Sequence, residues 1–353
     1  MVNEAMCHTA VPNRGLASEA AARSAAPKLF SGPADAFQLF AEWSARQIYW
    51  RSPWLRDQIN RWKTKSQPAV QFASRAEVSD YLRSIGVIPG SLVMAHTSVS
   101  GLSFESTAGA ANSIQNSFQV AQELVSLLKE LVGPAGTLVM PTHPIYKAQA
   151  ASQARTGAPP VYNPKTTPCG VGLANEVFWR QAGTQRSLFP HNTLAACGPL
   201  ADELLRDNLT EHKSLPHGED SGYYRFCQRD GLLISVGVPL ASCFTLVHVA
   251  EESRDVHWPV KNFFEEREYV VRSQGVDRTV TIRKTRSDFM KFSFCLRKLR
   301  RDLLREGVLH EGKVGSVRVD WASSAEMIDF ISRRNQNSTY PYFGTGFVPR
   351  PAP

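Results

Sequence analysis

The spacing of apolar residues divides the chain into a series of short elements. Phe37, Phe40, Trp43, Ile48, Trp50, Trp54, Leu55, Ile59 and Trp62 recur among Arg and Lys. That pattern predicts one or two amphipathic helices over residues 33–65, interrupted at Ser52-Pro53. An aromatic face of this kind either packs on the body of its own protein or docks to a partner or membrane surface. Ser74 followed by Glu77 has the form of a capping box ahead of Val78, Tyr81, Leu82 and Ile85, which sets the start of the main domain. Pro89-Gly90 then turns the chain into a strand over 91–95, which runs out into the polar stretch His96-Thr97-Ser98. A helix over 118–132 carries Val120, Leu124, Leu127, Leu128 and Leu131 on one face and stops at Gly133-Pro134. With the apolar strand over 136–142 it completes a strand-helix-strand unit, for which a right-handed crossover is the default. Residues 144–160 read as a loop.

Further on, residues 231–236 form an apolar run rich in branched side chains. Gly237 and Pro239 break it, and Ser242 opens a run with helical spacing. His248 and Glu251 stand three apart in that run, so one helix face carries an imidazole and a carboxylate just beyond a strand end. Such strand ends are where α/β proteins hold their chemistry. A hairpin around Gly275, a helix over 287–306, a strand over 313–319 and a closing helix over 323–331 complete the chain. The helix over 287–306 turns Phe289, Phe292, Cys295, Leu296, Leu299 and Leu303 inward and crowds Lys291, Arg297, Lys298, Arg300, Arg301 and Arg305 on its other side.

Composition changes this picture little: 42% apolar and 20% charged residues suit a soluble enzyme. No apolar run approaches the ~18 residues of a membrane span, and the first thirty residues lack the apolar block of a signal peptide, so a cytoplasmic location is expected. Residues 1–33, rich in Ala, Ser, Pro and Gly, read as a disordered tail, 34–75 as a helical extension and 76–353 as the catalytic domain. The six cysteines form no Cys-x-x-Cys pair, so neither structural zinc nor a disulfide framework is expected. Charge changes the picture more. The net +8 is uneven: residues 78–258 carry twelve Lys/Arg against fifteen Asp/Glu, while 259–353 carry eighteen against eleven. The middle is slightly acidic and the flanks are basic.

Phosphate loops, dinucleotide fingerprints, zinc-protease helices and serine-hydrolase elbows are all missing from the sequence. Cys169, Cys197, Cys227 and Cys243 read as core residues rather than nucleophiles. His248 with Glu251 is the best candidate chemistry, because a carboxylate beside an imidazole sets its tautomer and supports the imidazolium formed when it takes a proton. Read in isolation, the same spacing also fits a solvated ion pair on a helix.

A family resemblance rests on several segments in order. Val93-Met-Ala-His-Thr-Ser-Val99, Gly136 to Thr142, Asn163 to Gly170, Arg186-Ser-Leu-Phe-Pro-His-Asn-Thr193, Gly198 to Ala201, Gly218-Glu-Asp-Ser221 and Thr245-Leu-Val-His-Val-Ala-Glu251 together resemble the aminoglycoside 3-N-acetyltransferase family. The resemblance covers about 78 to 335 and leaves out the first 75 or so residues. It implies an α/β fold, a three-layer α/β/α domain with a mixed central sheet, preceded here by the helical N-terminal extension. It further implies direct transfer of an acetyl group from acetyl-CoA to an amine of an amino sugar or similar small molecule, with His248 as base and Glu251 supporting it. By the same resemblance His96, Thr97, Ser98, Arg186, Ser187 and Phe189 would border the CoA arm, and Glu219, Asp220 and His191 the acceptor. The family usually has His where this chain has Phe189, so that histidine's role is lost or has moved to His191. Two alternatives stand beside this reading: a donor carried on an acyl carrier protein docked on the basic 291–305 helix, and a fold member that binds a ligand without catalysis. Nucleic-acid binding is disfavoured, because the aromatic residues of the basic helix face inward.

Overall fold

The computed structural model describes residues 32–65, 71–100, 102–104, 114–209, 214–243, 245–254, 257–336 and 338–349. Helices α1 (Pro33–Arg51) and α2 (Pro53–Lys65) come first, with Pro53 dividing them as expected. Strand β1 (Gln71–Ala73), helix α3 (Arg75–Ser84), β2 (Leu92–Thr97), β3 (Leu102–Phe104), α4 (Ile114–Val132) and β4 (Thr137–Pro141) follow. Next are α5 (Ala150–Thr156), β5 (Val161–Tyr162), α6 (Leu173–Trp179), β6 (Gln185–Arg186), β7 (Leu194–Cys197), α7 (Ala201–Leu204) and α8 (Gly222–Gln228). The chain then runs through β8 (Leu232–Val236), α9 (Val247–Glu252), β9 (Phe264–Ser273), β10 (Val276–Thr285), α10 (Ser287–Phe292), α11 (Leu296–Arg305), β11 (His310–Val314), β12 (Val317–Ser323) and α12 (Ser324–Asn335).

Seven strands form the main sheet in the order β11-β12-β8-β2-β4-β7-β6. β8, β2 and β4 are parallel neighbours, and antiparallel strands flank them on both sides. Alternate side chains enter separate cores, which is why the strands read as continuous apolar runs. Met94, Val139, Leu194 and Leu233 pack with α8, α9, α11 and α12 on one face. Val93, Ala95, Leu138, Met140 and Ile234 pack with α3, α4 and α6 on the other. The expected three-layer fold with a mixed sheet and a helical N-terminal region is thus observed. Ser74 caps α3 with the full reciprocal box. A smaller sheet, β10-β9-β5, lies over a third apolar cluster that contains Phe189, Tyr162 and Tyr269.

Four local expectations change. Residues 144–160 are not all loop, since α5 occupies part of them. The helix expected over 287–306 is two helices, α10 and α11. Between them Cys295 N–H donates to Pro341 O at 3.0 Å and Phe343 N–H to Ser293 O at 2.8 Å, so the C-terminal segment takes backbone groups that a continuous helix would need. The strand expected over 313–319 is the β11-β12 hairpin, turned at Gly315 with φ +56°.

The fourth change concerns the basic helix. Lys298 is buried and pairs with Asp35 at 3.2 Å and Asp302 at 2.9 Å. Arg301 pairs with Asp35, and Arg300 with Glu311. Asp35 of α1 therefore takes up Lys298 and Arg301, whereas Arg297 and Arg305 of the same helix stay exposed.

At the end of β8, Gly237 has φ +74°, and a Cβ there would lie 2.3 Å from the carbonyl oxygen of Ser98. Gly237→Ala should cost about 2–4 kcal/mol through strain and that contact, measurable as a lower urea midpoint. A change within about 0.5 kcal/mol would contradict this account.

Candidate active site

Helix α9 lies just past the parallel strand β8 and carries two buried carboxylates side by side. A buried charge must be paired and hydrogen-bonded, and each of these has its own histidine. His248 Nδ1 lies 2.7 Å from Glu251 Oε2, and Glu251 Oε1 accepts a 2.7 Å hydrogen bond from the hydroxyl of Tyr342. Both carboxylate oxygens are thereby engaged, and Glu251 is fully buried. An ionised carboxylate only accepts, so Nδ1 is the donor of this pair, and in the neutral ring Nε2 of His248 keeps its lone pair.

The second pair is His217 with Glu252. Glu252 accepts from His217 Nδ1 at 2.9 Å and from the His217 backbone N–H at 2.5 Å. His217 Nε2 then faces the amide nitrogen of Asn192 at 3.2 Å. The His217 and His248 rings stand 5.1 Å apart. His143 completes the imidazole cluster through Tyr223, Nε2 to hydroxyl, at 3.3 Å.

His248 borders two cavities. The larger, ≈ 670 Å³, also touches His96, Thr97, His143, Asn175, Asn192 and Arg46. The smaller, ≈ 190 Å³, also touches His191, Asn192, His217, Glu252 and Lys284. Nε2 of His248 makes no hydrogen bond among the described residues, and an imidazole so placed at the junction of two cavities can take a proton from a group in one while another reactant occupies the other.

Residues 94–335 match the family model described as aminoglycoside 3-N-acetyltransferase. The chain belongs to that family. Its enzyme class is N-acetyltransferase, as the sequence led us to expect. It is 27% identical to aminoglycoside N(3)-acetyltransferase IX of Micromonospora chalcea over 69% of this chain and 86% of that protein. It is 30% identical to aminoglycoside N(3)-acetyltransferase III of a Salmonella species over 52% of this chain and 62% of that protein. Among solved structures, aminoglycoside acetyltransferase AAC(3)-Xa superposes with a TM-score of 0.58 at 24% identity, covering 74% of this chain and 92% of that one. AAC-IIIb in binary complex with CoASH superposes with a TM-score of 0.58 at 18% identity, covering 74% and 95%. At these identities the likeness concerns the fold.

Within the family frame, the structure brings some of the expected residues together and not others. His248, His96 and Thr97 line the larger cavity, and His191 lines the smaller one. Thr97 donates to Asn175 Oδ1 at 3.2 Å, and the Asn175 amide is held by Pro141 O at 2.6 Å. Ser98 lies just beyond, its N–H bound to Val236 O at 3.0 Å.

Other expected residues lie away from both cavities. Arg186 does not line either cavity: its guanidinium donates to Thr142 O and Oγ1 and to Thr167 O, and lies 4.4 Å over Trp179. It braces the loops that carry the site. Phe189 is buried in the cluster beneath the small sheet, and Ser187 Oγ accepts the Phe189 N–H, so both shape the loop from within. Glu219 and Asp220 are exposed and touch neither cavity. The carboxylates at the site are Glu251 and Glu252.

The sequence reading missed Glu252, His217, Tyr342, His143, Asn192 and Arg46. Glu252 and His217 stood beside residues already singled out, whereas Tyr342 and Arg46 come from segments far along the chain.

Burial lowers the pKa of His96 to about 4 and, with the neighbouring histidines, that of His143 to about 3. His191 and His217 are likewise held well below the ordinary value, by burial first. His248 goes the other way: burial opposes its charge, but the charge and hydrogen bond of Glu251, with Glu252 behind, outweigh burial and raise its pKa. The four lowered histidines must be neutral in the fold, so the unfolded chain binds more protons below pH 6.5. Stability therefore falls as pH drops from about 6.5 towards 4, by up to ~1.4 kcal/mol per pH unit for each such histidine. His248 has the opposite sign, adding stability at low pH that is lost as pH rises through its raised pKa. Urea midpoints from pH 7.5 to 4.5 should fall on balance, and a flat profile would contradict the neutral buried cluster.

Proposed function

We propose that the protein transfers an acetyl group from acetyl-CoA to the amine of a small, sugar-like acceptor, with His248 as general base. The observation that carries this reading is the open Nε2 of His248 at the junction of two cavities, with Nδ1 held by a buried carboxylate. In the proposed step the amine nitrogen attacks the thioester carbonyl, and Nε2 takes the proton the nitrogen sheds. The carbon–sulfur bond breaks, and CoA leaves as a thiolate that the imidazolium can protonate. Glu251 stabilises the imidazolium between those events, and Tyr342 keeps Glu251 from rotating away. Thr97 and His96 at the end of β2 are the proposed border of the CoA arm, and His191 of the acceptor. The relatives' names support an amine acceptor, and one fold neighbour was solved with CoASH.

His248→Ala should reduce transfer about 10²–10⁴-fold in a thiol-release assay while CoA binding is retained. An active alanine variant would sink the mechanism. A wild-type protein that binds acetyl-CoA yet acetylates nothing in a broad amine panel would favour a ligand-binding role instead.

Because Glu251 raises the pKa of His248, kcat/KM should rise with pH as His248 loses its proton. Glu251→Gln removes the charge, so the acidic limb should move to lower pH while kcat falls. An unmoved limb would mean that Glu251 does not act on His248.

A further inference from the structure

Asn192 stands at the same junction as His248, bordering both the larger and the smaller cavity. Its backbone holds φ +47°, in the left-handed region where Asn is among the few favoured residues that carry a side chain. Backbone of this kind persists where its surroundings hold it, and it gathers at functional sites.

The second imidazole–carboxylate pair holds the Asn192 side chain. Glu252 accepts from the backbone N–H of His217 at 2.5 Å and from its Nδ1 at 2.9 Å. The carboxylate only accepts, so the proton of the neutral His217 ring lies on Nδ1 and Nε2 keeps a lone pair. The ring is neutral because burial, and then the charge of His248, hold its pKa well below the ordinary value. Nε2 therefore accepts, and the Asn192 group 3.2 Å from it must be the amide NH2. Glu252 thus fixes the tautomer of His217, and His217 fixes which way round the Asn192 carboxamide stands. Its oxygen, Oδ1, makes no hydrogen bond among the described residues. The His217 ring lies 5.1 Å from that of His248, so a fixed hydrogen-bond acceptor and the Nε2 lone pair of His248 belong to one small region.

A primary amine brings two N–H groups to that region. As its nitrogen attacks the thioester carbonyl, one proton passes to Nε2 of His248, the carbon–nitrogen bond forms and the carbon–sulfur bond breaks. The other N–H stays on nitrogen and becomes the amide N–H of the product. We propose that Oδ1 of Asn192 accepts this retained N–H and so aims the nitrogen lone pair at the thioester, with His217 and Glu252 as positioning residues behind it. The arrangement selects primary amines. A hydroxyl or a secondary amine gives up its only hydrogen to His248 and has none left for Oδ1, and a site built to hydrogen-bond a group rejects an analogue that lacks it. This inference rests on the reading of His248 as the acyl-transfer base, whereas the orientation of the Asn192 amide does not.

Two measurements on the full chain test it. Nitrogen-15 NMR of histidine-labelled protein at pH 7.5 needs no substrate: His217 should be the Nδ1–H tautomer, with an Nε2 resonance that moves in Asn192→Gly. Glycine takes up the left-handed backbone readily, so this variant removes the side chain without straining the turn. A proton on Nε2 of His217 would turn the Asn192 NH2 towards the cavities and overturn the proposal alone, leaving the role of His248 untouched. The second measurement is thiol release from acetyl-CoA with glucosamine and with its N-methyl derivative. Asn192→Gly should lower kcat for the primary amine about tenfold and leave the secondary amine nearly unchanged, erasing the wild type's preference. Equal losses on both sugars would mark a structural role, and a gain on the N-methyl sugar alone would mark a steric one; either result overturns the proposal. A wild type that acetylates neither sugar would sink the acyl-transfer reading for such acceptors, and this proposal with it.

Discussion

Burying Glu251 and Glu252 together on the six-residue helix α9 is the constraint on which the rest of the site depends. Neither carboxylate can remain charged there unless its oxygens are bonded, and adjacent like charges make the requirement stricter. The fold meets it with partners from three directions. His248 comes from the same helix, His217 from the loop before α8, and Tyr342 from the C-terminal segment. Each partner is held in turn, and the outcome is one imidazole whose outer nitrogen remains open. Glu251 is thus at once a structural burden and the source of the raised pKa of His248.

That demand reaches into the architecture. Tyr342 can meet Glu251 only if the C-terminal segment crosses under the helical layer, where it pairs with Ser293 and Cys295 and divides α10 from α11. The division leaves Met290, Phe294 and Leu296 lining the larger cavity. On the other side, the loop from Arg186 to Asn192 is braced from beneath by the Arg186 contacts and the buried Phe189 ring. It places His191 and Asn192 beside His217. Phe189 therefore serves the loop's packing, and His191 is the imidazole that reaches the smaller cavity.

The N-terminal helices add a separate layer of control. α1 pairs with Lys298 and Arg301 of α11 through Asp35, and Asp302 completes the pairing of Lys298, which explains how that lysine tolerates burial. In doing so α1 brings Arg46 to the mouth of the His248 cavity. A region outside the family match thereby contributes to the walls of the site.

Much of the molecule was legible in the chain. Continuous apolar runs such as 136–142 and 231–236 mark strands covered on both faces, the Ser74 box starts α3, Pro53 divides α1 from α2, and the His248-Glu251 spacing marks the helix face that carries the imidazole–carboxylate pair. These are local properties, decided by backbone preference and by side-chain period within a few residues. Other features were not legible, because their causes lie far apart in sequence. The break at Ser293 depends on backbone groups near residue 342, the pairing of Glu252 depends on His217, and the fate of the basic helix depends on Asp35. The sequence by itself determined most of the elements, the fold family and the candidate imidazole. Only the tertiary structure decided which carboxylates and cations are buried, which partners hold them and which remain facing a cavity, because burial and charge pairing are relations between segments that no local period encodes.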